Sequence, residues 1–146
     1  ERAGDYAKNI ARRTNTITKA EAFTGSIGTL VRMSELVEAM IIKVLKAYNE
    51  CNAEMANEVR SDDEHVDQMH NTLFRELLTY MMEDPVNISG AIHLLLMAKN
   101  LERMGDHVAD IAKETMYMVS GEWPEKKRNK DDKTSKMIVG LDEAKD

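Results

Sequence analysis

The chain has 146 residues, 42% of them hydrophobic, and a net charge of −6 at neutral pH. The hydrophobic fraction suffices for a buried core and excludes an intrinsically disordered chain. The negative charge argues against nucleic-acid binding, which needs a basic face. The apolar runs are too short for a transmembrane helix, and the first residues lack the apolar stretch of a signal peptide. The lone Cys51 excludes an internal disulfide and suits a reducing cytosol.

Seven glycines and two prolines leave few places for turns, which favours long helices over a sandwich or barrel. Apolar residues at spacings of three and four predict four helices, over residues 1–22, 26–50, 53–82 and 88–119. The break at residues 83–87 contains Pro85, which disfavours helix in the residue before it. Residues 121–146 are rich in charges of both signs and are predicted to form a disordered tail. The expected fold class is all-α.

The first twelve residues return near the end of the fourth predicted helix. The sequence ERAGDYAKNIAR at residues 1–12 matches ERMGDHVADIAK at residues 102–113, with six identities and an offset of 101. Two long helices precede the second copy, so the repeat unit is expected to be a three-helix bundle. Residues 1–22 are then the last helix of a first bundle that lacks roughly 80 residues, and residues 23–120 form the second bundle.

Acidic side chains interrupt the apolar faces of the third and fourth helices. On a helical wheel, five carboxylates fall inside these apolar arcs or at their margin: Asp63, Asp67, Glu102, Asp106 and, at the margin, Asp110. His70 shares the arc of the third helix. Charged residues are expected on the opposite, solvent-facing side of such helices. The position of these carboxylates on apolar faces therefore indicates a role other than keeping the protein soluble.

The short turn makes the third and fourth helices an antiparallel hairpin. Asp67 is then level with Glu102, and Asp63 with Asp106, because both pairs are centred on the turn. Converging carboxylates are costly unless positive charge compensates them. Oxygen ligands suit Fe, Mn, Mg or Ca better than a structural zinc, so the pattern predicts a cation site inside a helix bundle. The structural alternative is neutralisation by Arg or Lys side chains, and four arginines are available: Arg2, Arg60, Arg75 and Arg103.

Four other residues have side chains that could react or bind a metal, and each is given a structural interpretation. His65, His93 and His107 lie far from the acidic arcs and are predicted to be surface residues. Cys51 lies near a helix junction with no basic residue close in sequence, so a packing role is expected instead of a nucleophilic one.

The repeated motif E-R-x-G-D-x-x-x-[N/D]-I resembles that of the PhoU family of phosphate-signalling regulators. So do DEHVD at residues 63–67 and LFRELLTYMMED at residues 73–84. The resemblance covers most of the chain before the tail and implies two tandem three-helix bundles, the first represented here by its last helix. Some members hold iron or zinc clusters on E/D-x-x-x-D motifs. By position, this implies three ligand pairs and one further position: Asp63 and Asp67, Glu102 and Asp106, Glu1 and Asp5, and Asp110 where relatives often have Asn.

The role implied by the resemblance is a cytoplasmic negative regulator of phosphate uptake and of the phosphate-starvation response, and not an enzyme. Such proteins link the ATPase subunit of a phosphate ABC transporter to a membrane sensor histidine kinase, and a homo-oligomer is expected. Two alternatives stay open: a metal-free adaptor with an acidic docking face, and a carboxylate-bridged dimetal oxidoreductase. The latter is disfavoured because Gly105 stands where a Glu-x-x-His motif starting at Glu102 would need histidine.

Overall fold

The computed structural model of the chain describes residues 1–17 and 23–124. It contains α1 (Arg2–Ile17), α2 (Thr24–Asn49), α3 (Ala53–Glu83) and α4 (Ile88–Ser120), with a 3-10 turn at Pro85–Asn87. The all-α class is confirmed, and the bounds of α2, α3 and α4 lie within two residues of those predicted. The predicted extension of α1 to residue 22, and the tail from residue 125 onward, lie outside the described residues. No described helix is long and apolar enough to cross a membrane.

Side-chain and backbone chemistry defines where α3 and α4 begin and end. Asn52 caps α3, because its Oδ1 accepts a hydrogen bond from a backbone N–H of the first turn at 2.9 Å. Asp84 ends α3 in an extended conformation, as the residue before Pro85 tends to do. Gly121 ends α4 with a left-handed φ of 75°, a conformation that favours glycine.

The three long helices α2, α3 and α4 all pack against one another in a bundle. The direction of α2 against α3 follows from two contacts. Ser26 donates to Glu76 at one end, and Lys43 donates to Asp62 towards the other. Apolar side chains of all three helices fill the core, among them Met33, Val37, Met40, Val44, Val59, Val66, Leu73, Leu77, Leu94, Ala98 and Leu101.

α2 carries two apolar stripes, and the bundle buries one of them. The buried stripe consists of Leu30, Met33, Val37, Met40, Val44 and Ala47. The apolar periodicity of the sequence includes four further residues that the structure leaves exposed: Ile27, Val31, Leu45 and Tyr48. Because the described helices pack against one side of α2 only, the second stripe stays on the surface.

The two copies of the repeated motif face each other where α1 packs along α4. Tyr6 and His107 occupy equivalent positions in the two copies, and their rings stack with centroids 5.8 Å apart. Arg13 Nη1 lies 3.2 Å from His93 Nδ1 further along. These pairs show that α1 runs antiparallel to α4. The assignment of α1 to a preceding bundle stays a prediction.

Three of the structural interpretations from sequence need correction or refinement. His93 and His107 are half-buried because α1 covers their side of α4, whereas His65 is exposed as predicted. The packing role predicted for Cys51 is wrong. The residue lies exposed in the tight turn between α2 and α3, where its φ of 49° turns the chain back on itself.

Candidate functional site

Three carboxylates are buried in the bundle on α3 and α4. Asp63, Asp67 and Glu102 are each 1% exposed, and Asp106 is half-buried. We call these four residues the acidic face. The burial of Asp63, Asp67 and Glu102 confirms the prediction that these carboxylates lie on the apolar faces of their helices. His70 of α3 is buried as well. Since charged groups withdrawn from water are costly without compensation, the electrostatics of this site depend on what surrounds each carboxylate.

Asp63 lies directly against the backbone of α4 at Gly105. A Cβ built on Gly105 would stand 2.5 Å from Asp63 Oδ1, which is closer than a methyl group tolerates. The absence of a side chain at residue 105 therefore lets α3 bring this carboxylate onto α4. Because Gly105 adjoins Asp106, Asp63 lies at the level that the hairpin register predicts.

Glu102 forms an ion pair with Lys99, which lies one turn earlier on the same helix. Lys99 Nζ stands 3.0 Å from Glu102 Oε2. The two side chains differ sharply in exposure, 41% for Lys99 and 1% for Glu102. The lysine therefore extends from solvent with its ammonium over a buried carboxylate. Sequence analysis missed Lys99, although the i, i+3 spacing of opposite charges on a helix could have revealed it.

Two of the arginines considered as counter-ions also contact residues outside the acidic face. The guanidinium carbon of Arg103 lies 5.9 Å from the ring centroid of Tyr6, on the side of α4 that α1 covers. Arg60 Nη1 lies 3.8 Å from the sulfur of Met116. Arg103 follows Glu102 directly and therefore lies about 100° from it around α4, which agrees with its contact with α1.

The other predicted ligands occupy more open positions. Glu1, Asp5 and Asp110 are exposed. Glu1 and Asp110 line one open cleft of about 790 Å³ between the start of α1 and the last turns of α4. The walls of this cleft include apolar side chains such as Ile111. The structure thus brings Glu1 and Asp110 together at the surface, away from the buried carboxylates.

The donor chemistry of the acidic face fits a cation that prefers oxygen ligands. Three carboxylates are withdrawn from water, and Gly105 leaves room for one of them beside α4. Within residues 1–17 and 23–124, no group of three or more His, Cys, Asp or Glu side chains is arranged so that it could hold a metal ion. A cation would therefore have to draw the carboxylates together by side-chain rotation. The predicted ligand set stays a prediction.

A second ion-pair cluster joins α2 to α3 nearer the surface. Lys43 Nζ lies 2.9 Å from Glu58 Oε2 and 3.0 Å from Asp62 Oδ2. The hydrogen bond to Glu58, together with the neighbouring Asp62, raises the pKa of Lys43 above its ordinary value although burial opposes the shift. Asp62 thus pairs towards α2, whereas the adjacent Asp63 lies against α4.

Comparison with known proteins identifies the family of this chain. The model of the PhoU domain matches residues 30–115. The chain belongs to the PhoU family. The crystal structure of PhoU from Pseudomonas aeruginosa matches it with a TM-score of 0.78 and 34% sequence identity, covering 84% of this chain and 58% of that one. The resemblance based on the repeated motif is therefore confirmed, and so is the helical-bundle fold.

Two relatives of this PhoU-family chain are named phosphate-specific transport system accessory protein PhoU homolog. The protein from Rhizobium meliloti (strain 1021) is 44% identical over 135 residues, which is 92% of this chain and 57% of the relative. The protein from Caulobacter vibrioides (strain NA1000 / CB15N) is 45% identical over 122 residues, covering 84% of this chain and 53% of the relative. The chain thus spans little more than half the length of these relatives.

Proposed function

We propose that this PhoU-family chain is an accessory protein of a phosphate-specific transport system. The observation that carries the proposal is its 44% identity, over 92% of its residues, to the Rhizobium meliloti accessory protein. In this role it is a negative regulator of phosphate uptake and of the phosphate-starvation response. It acts in the cytoplasm as a non-enzymatic adaptor between the ATPase subunit of a phosphate ABC transporter and a sensor histidine kinase.

The surface of the bundle supports a function that works by contact. The exposed stripe of α2, with Ile27, Val31, Leu45 and Tyr48, is joined by Ile42, which is 62% exposed. Large apolar side chains along one helix face are typical of protein interaction sites. This stripe is our candidate surface for a protein partner or for the homo-oligomer that the resemblance implies.

Cation binding at the acidic face belongs to the same proposal. Asp63, Asp67, Glu102 and Asp106 would supply the ligands, and iron or zinc are the metals that the resemblance implies. The resemblance implies Asp110, Glu1 and Asp5 as further ligands, but their exposure makes them weaker candidates than the buried carboxylates. A bound cation would compensate the buried negative charge, and the carboxylates would link α3 to α4 through it.

A metal-free adaptor is the second candidate function. It is favoured by the ion pair between Lys99 and Glu102, which already provides positive charge at the acidic face. The arrangement of the described side chains, in which no group could hold a metal without rotation, favours it too. In this version the chain has the same partners, and stability does not depend on a cation.

Deleting the gene in the organism that carries it tests the regulatory role. Expression of phosphate-starvation genes should rise in medium rich in phosphate, and the gene encoding the whole protein should restore repression. A matched complementation with Asp63→Asn and Asp67→Asn separates the two candidate functions. Repression that survives this change supports the metal-free adaptor, whereas unchanged expression after deletion would contradict the regulatory role itself.

A further inference from the structure

The cleft between the start of α1 and the last turns of α4 presents large apolar side chains to solvent. Four of the side chains that line it are between 41 and 53% exposed: Tyr48, Ile111, Tyr117 and Met118. Tyr48 also ends the exposed stripe of α2, so the cleft continues that apolar surface. Exposed apolar side chains that cluster in a concave surface are typical of interaction sites. The cleft therefore has the composition of a docking surface.

Negative charge lies along the same cleft. The charged residues that line it are three carboxylates and one guanidinium, those of Glu1, Asp110, Glu114 and Arg2. Asp110 and Glu114 are exposed and lie one turn apart on α4, where like charges repel each other. Among residues 1–17 and 23–124, neither forms an ion pair with a lysine, arginine or histidine. A cationic group from a partner would therefore find two carboxylates beside an apolar floor.

An aromatic pair braces one end of the cleft. The ring of Tyr117 stacks on that of Trp123, with centroids 4.3 Å apart and 13° between the ring planes. The ammonium of Lys113 lies 4.7 Å from the ring centroid of Trp123, so this lysine is engaged with the same pair. Side chains that are already ordered lose little entropy when a partner binds. The stack thus makes this end of the cleft a preorganised contact surface.

We propose that the cleft binds an amphipathic helix with a basic polar face, contributed by a protein partner. The apolar face of that helix packs on Ile111 and Met118, and its lysines or arginines lie beside Asp110 and Glu114. Residues 107 to 118 of α4 span about 16 Å, which is room for roughly three turns of a second helix. The inference deepens the proposed adaptor role, and it rests on that role for the partner being a protein.

The charge and shape of the cleft disfavour other occupants. The phosphates of a nucleic acid or of an anionic lipid surface would be repelled by Asp110 and Glu114. A small molecule would be poorly enclosed, because the cleft is open to solvent. A second copy of the chain would bring its own net charge of −6 towards these carboxylates. A basic helix is the occupant that satisfies both the apolar floor and the carboxylates.

Titration with a designed helical peptide, monitored through the fluorescence of Trp123, tests the proposal. Trp123 is the single tryptophan of the chain and stacks on Tyr117 of the cleft, so its emission reports binding there. The lysine probe has about 14 residues, with leucines at spacings of three and four on one face and lysines on the other. The glutamate probe has glutamates in place of the lysines. We expect saturable binding of the lysine probe, at least about tenfold tighter than that of the glutamate probe.

Two isoleucines of α4 with equal exposure test the apolar floor. Ile111 lines the cleft and is 44% exposed, whereas Ile92 lies outside the cleft lining and is 45% exposed. Ile111→Gln should weaken binding of the lysine probe about fivefold or more, because it removes buried apolar area from the complex. Ile92→Gln should leave the affinity unchanged. Ile111→Ala replaces Ile111→Gln if circular dichroism shows that the latter does not fold.

Two exposed glutamates test the charge. Glu114→Lys should weaken binding of the lysine probe at least about threefold at low salt and strengthen binding of the glutamate probe. The control is Glu83→Lys, which changes the net charge equally at the end of α3, outside the cleft lining. It should leave the affinity for both probes nearly unchanged.

The outcomes separate the cleft from the regulatory role. Equal binding of the two probes, or an equal effect of a variant and its control, overturns the proposal. Trp123 emission that responds to vesicles of phosphatidylcholine and phosphatidylglycerol, and not to the lysine probe, would assign the cleft to a membrane surface instead. A response to protein concentration alone would assign it to a second copy of the chain. The absence of any response overturns the docking site and leaves the regulatory role, which the gene deletion tests by expression.

Discussion

The two copies of the repeated motif have nearly the same residues but very different surroundings. Glu102 is buried and paired with Lys99, whereas its equivalent Glu1 is exposed. The glycines differ in the same way: a Cβ on Gly105 would meet Asp63 Oδ1 at 2.5 Å, and a Cβ on Gly4 would meet nothing within 4 Å. The motif alone therefore does not create a buried acidic cluster. Its second copy contributes to one where α3 packs against it.

The largest expected loss of stability comes from adding a methyl group at Gly105, where Asp63 Oδ1 occupies the space. Gly105→Ala should lose about 1–3 kcal/mol of unfolding free energy from overpacking against Asp63, which outweighs the gain in helix propensity of up to about 1 kcal/mol. Gly4→Ala should gain a few tenths to about 1 kcal/mol, since it has the propensity without the clash. Urea denaturation of both variants measures the difference. Equal stability would show that the Gly105 contact is not restrictive.

A smaller effect is expected where the two copies touch. Tyr6 stacks on His107 with 15° between the ring planes, and its hydroxyl lies 3.4 Å from His107 Nε2. Tyr6→Ala should cost about 1–2 kcal/mol, from the lost ring contact and buried area. Amide hydrogen exchange should accelerate throughout α1 and change little in α3. The matched control is Tyr48→Ala, because Tyr48 is 53% exposed on α2. An equal loss of unfolding free energy in Tyr6→Ala and Tyr48→Ala would contradict a stabilising role for the stack of Tyr6 on His107.

The smallest expected loss of stability comes from breaking the ion pairs of Lys43 with Glu58 and Asp62, which lie nearer the surface than the acidic face. Lys43→Met should cost about 0.2–1 kcal/mol, as is usual for partly exposed ion pairs, and Lys46→Met less. The folded state raises the pKa of Lys43, chiefly through Glu58. Its contribution is therefore complete below the ordinary lysine pKa and is lost as the pH rises through the higher folded value. Urea denaturation should show a smaller difference in unfolding free energy between Lys43→Met and the original protein at strongly alkaline pH than at neutral pH. A difference in unfolding free energy that grows at alkaline pH would contradict this expected pH dependence.

The comparison of the two copies also shows what could be predicted from sequence. Helix bounds were predictable because Pro85 and the apolar periodicity mark them. The burial of Asp63, Asp67 and Glu102 was predictable because helical geometry fixes which face a residue occupies. The hairpin register followed from the short turn, since two antiparallel helices with so short a connection have little freedom to slide.

Features that depend on neighbouring helices were not predictable in the same way. The exposure of Ile27 and Val31 depends on how many helices cover α2, which periodicity does not reveal. The partial burial of His107 depends on the packing of α1, which is remote in sequence. Lys99 is different, because its spacing from Glu102 was visible in the sequence, whereas the burial of Glu102 and the partial exposure of Lys99 were not both visible there.

Cation binding by variants of the two motif copies tests whether the packing of α3 against the second copy creates a cation site. The protein should be stripped with chelator and titrated with Mn²⁺ in three forms: the original sequence, Asp63→Asn with Asp67→Asn, and Glu1→Gln with Asp5→Asn. We expect saturable binding by the original protein, a loss of at least about tenfold in affinity when α3 is changed, and little change when α1 is changed. Affinity that survives the α3 substitutions, or that falls only with the α1 substitutions, would contradict this expectation.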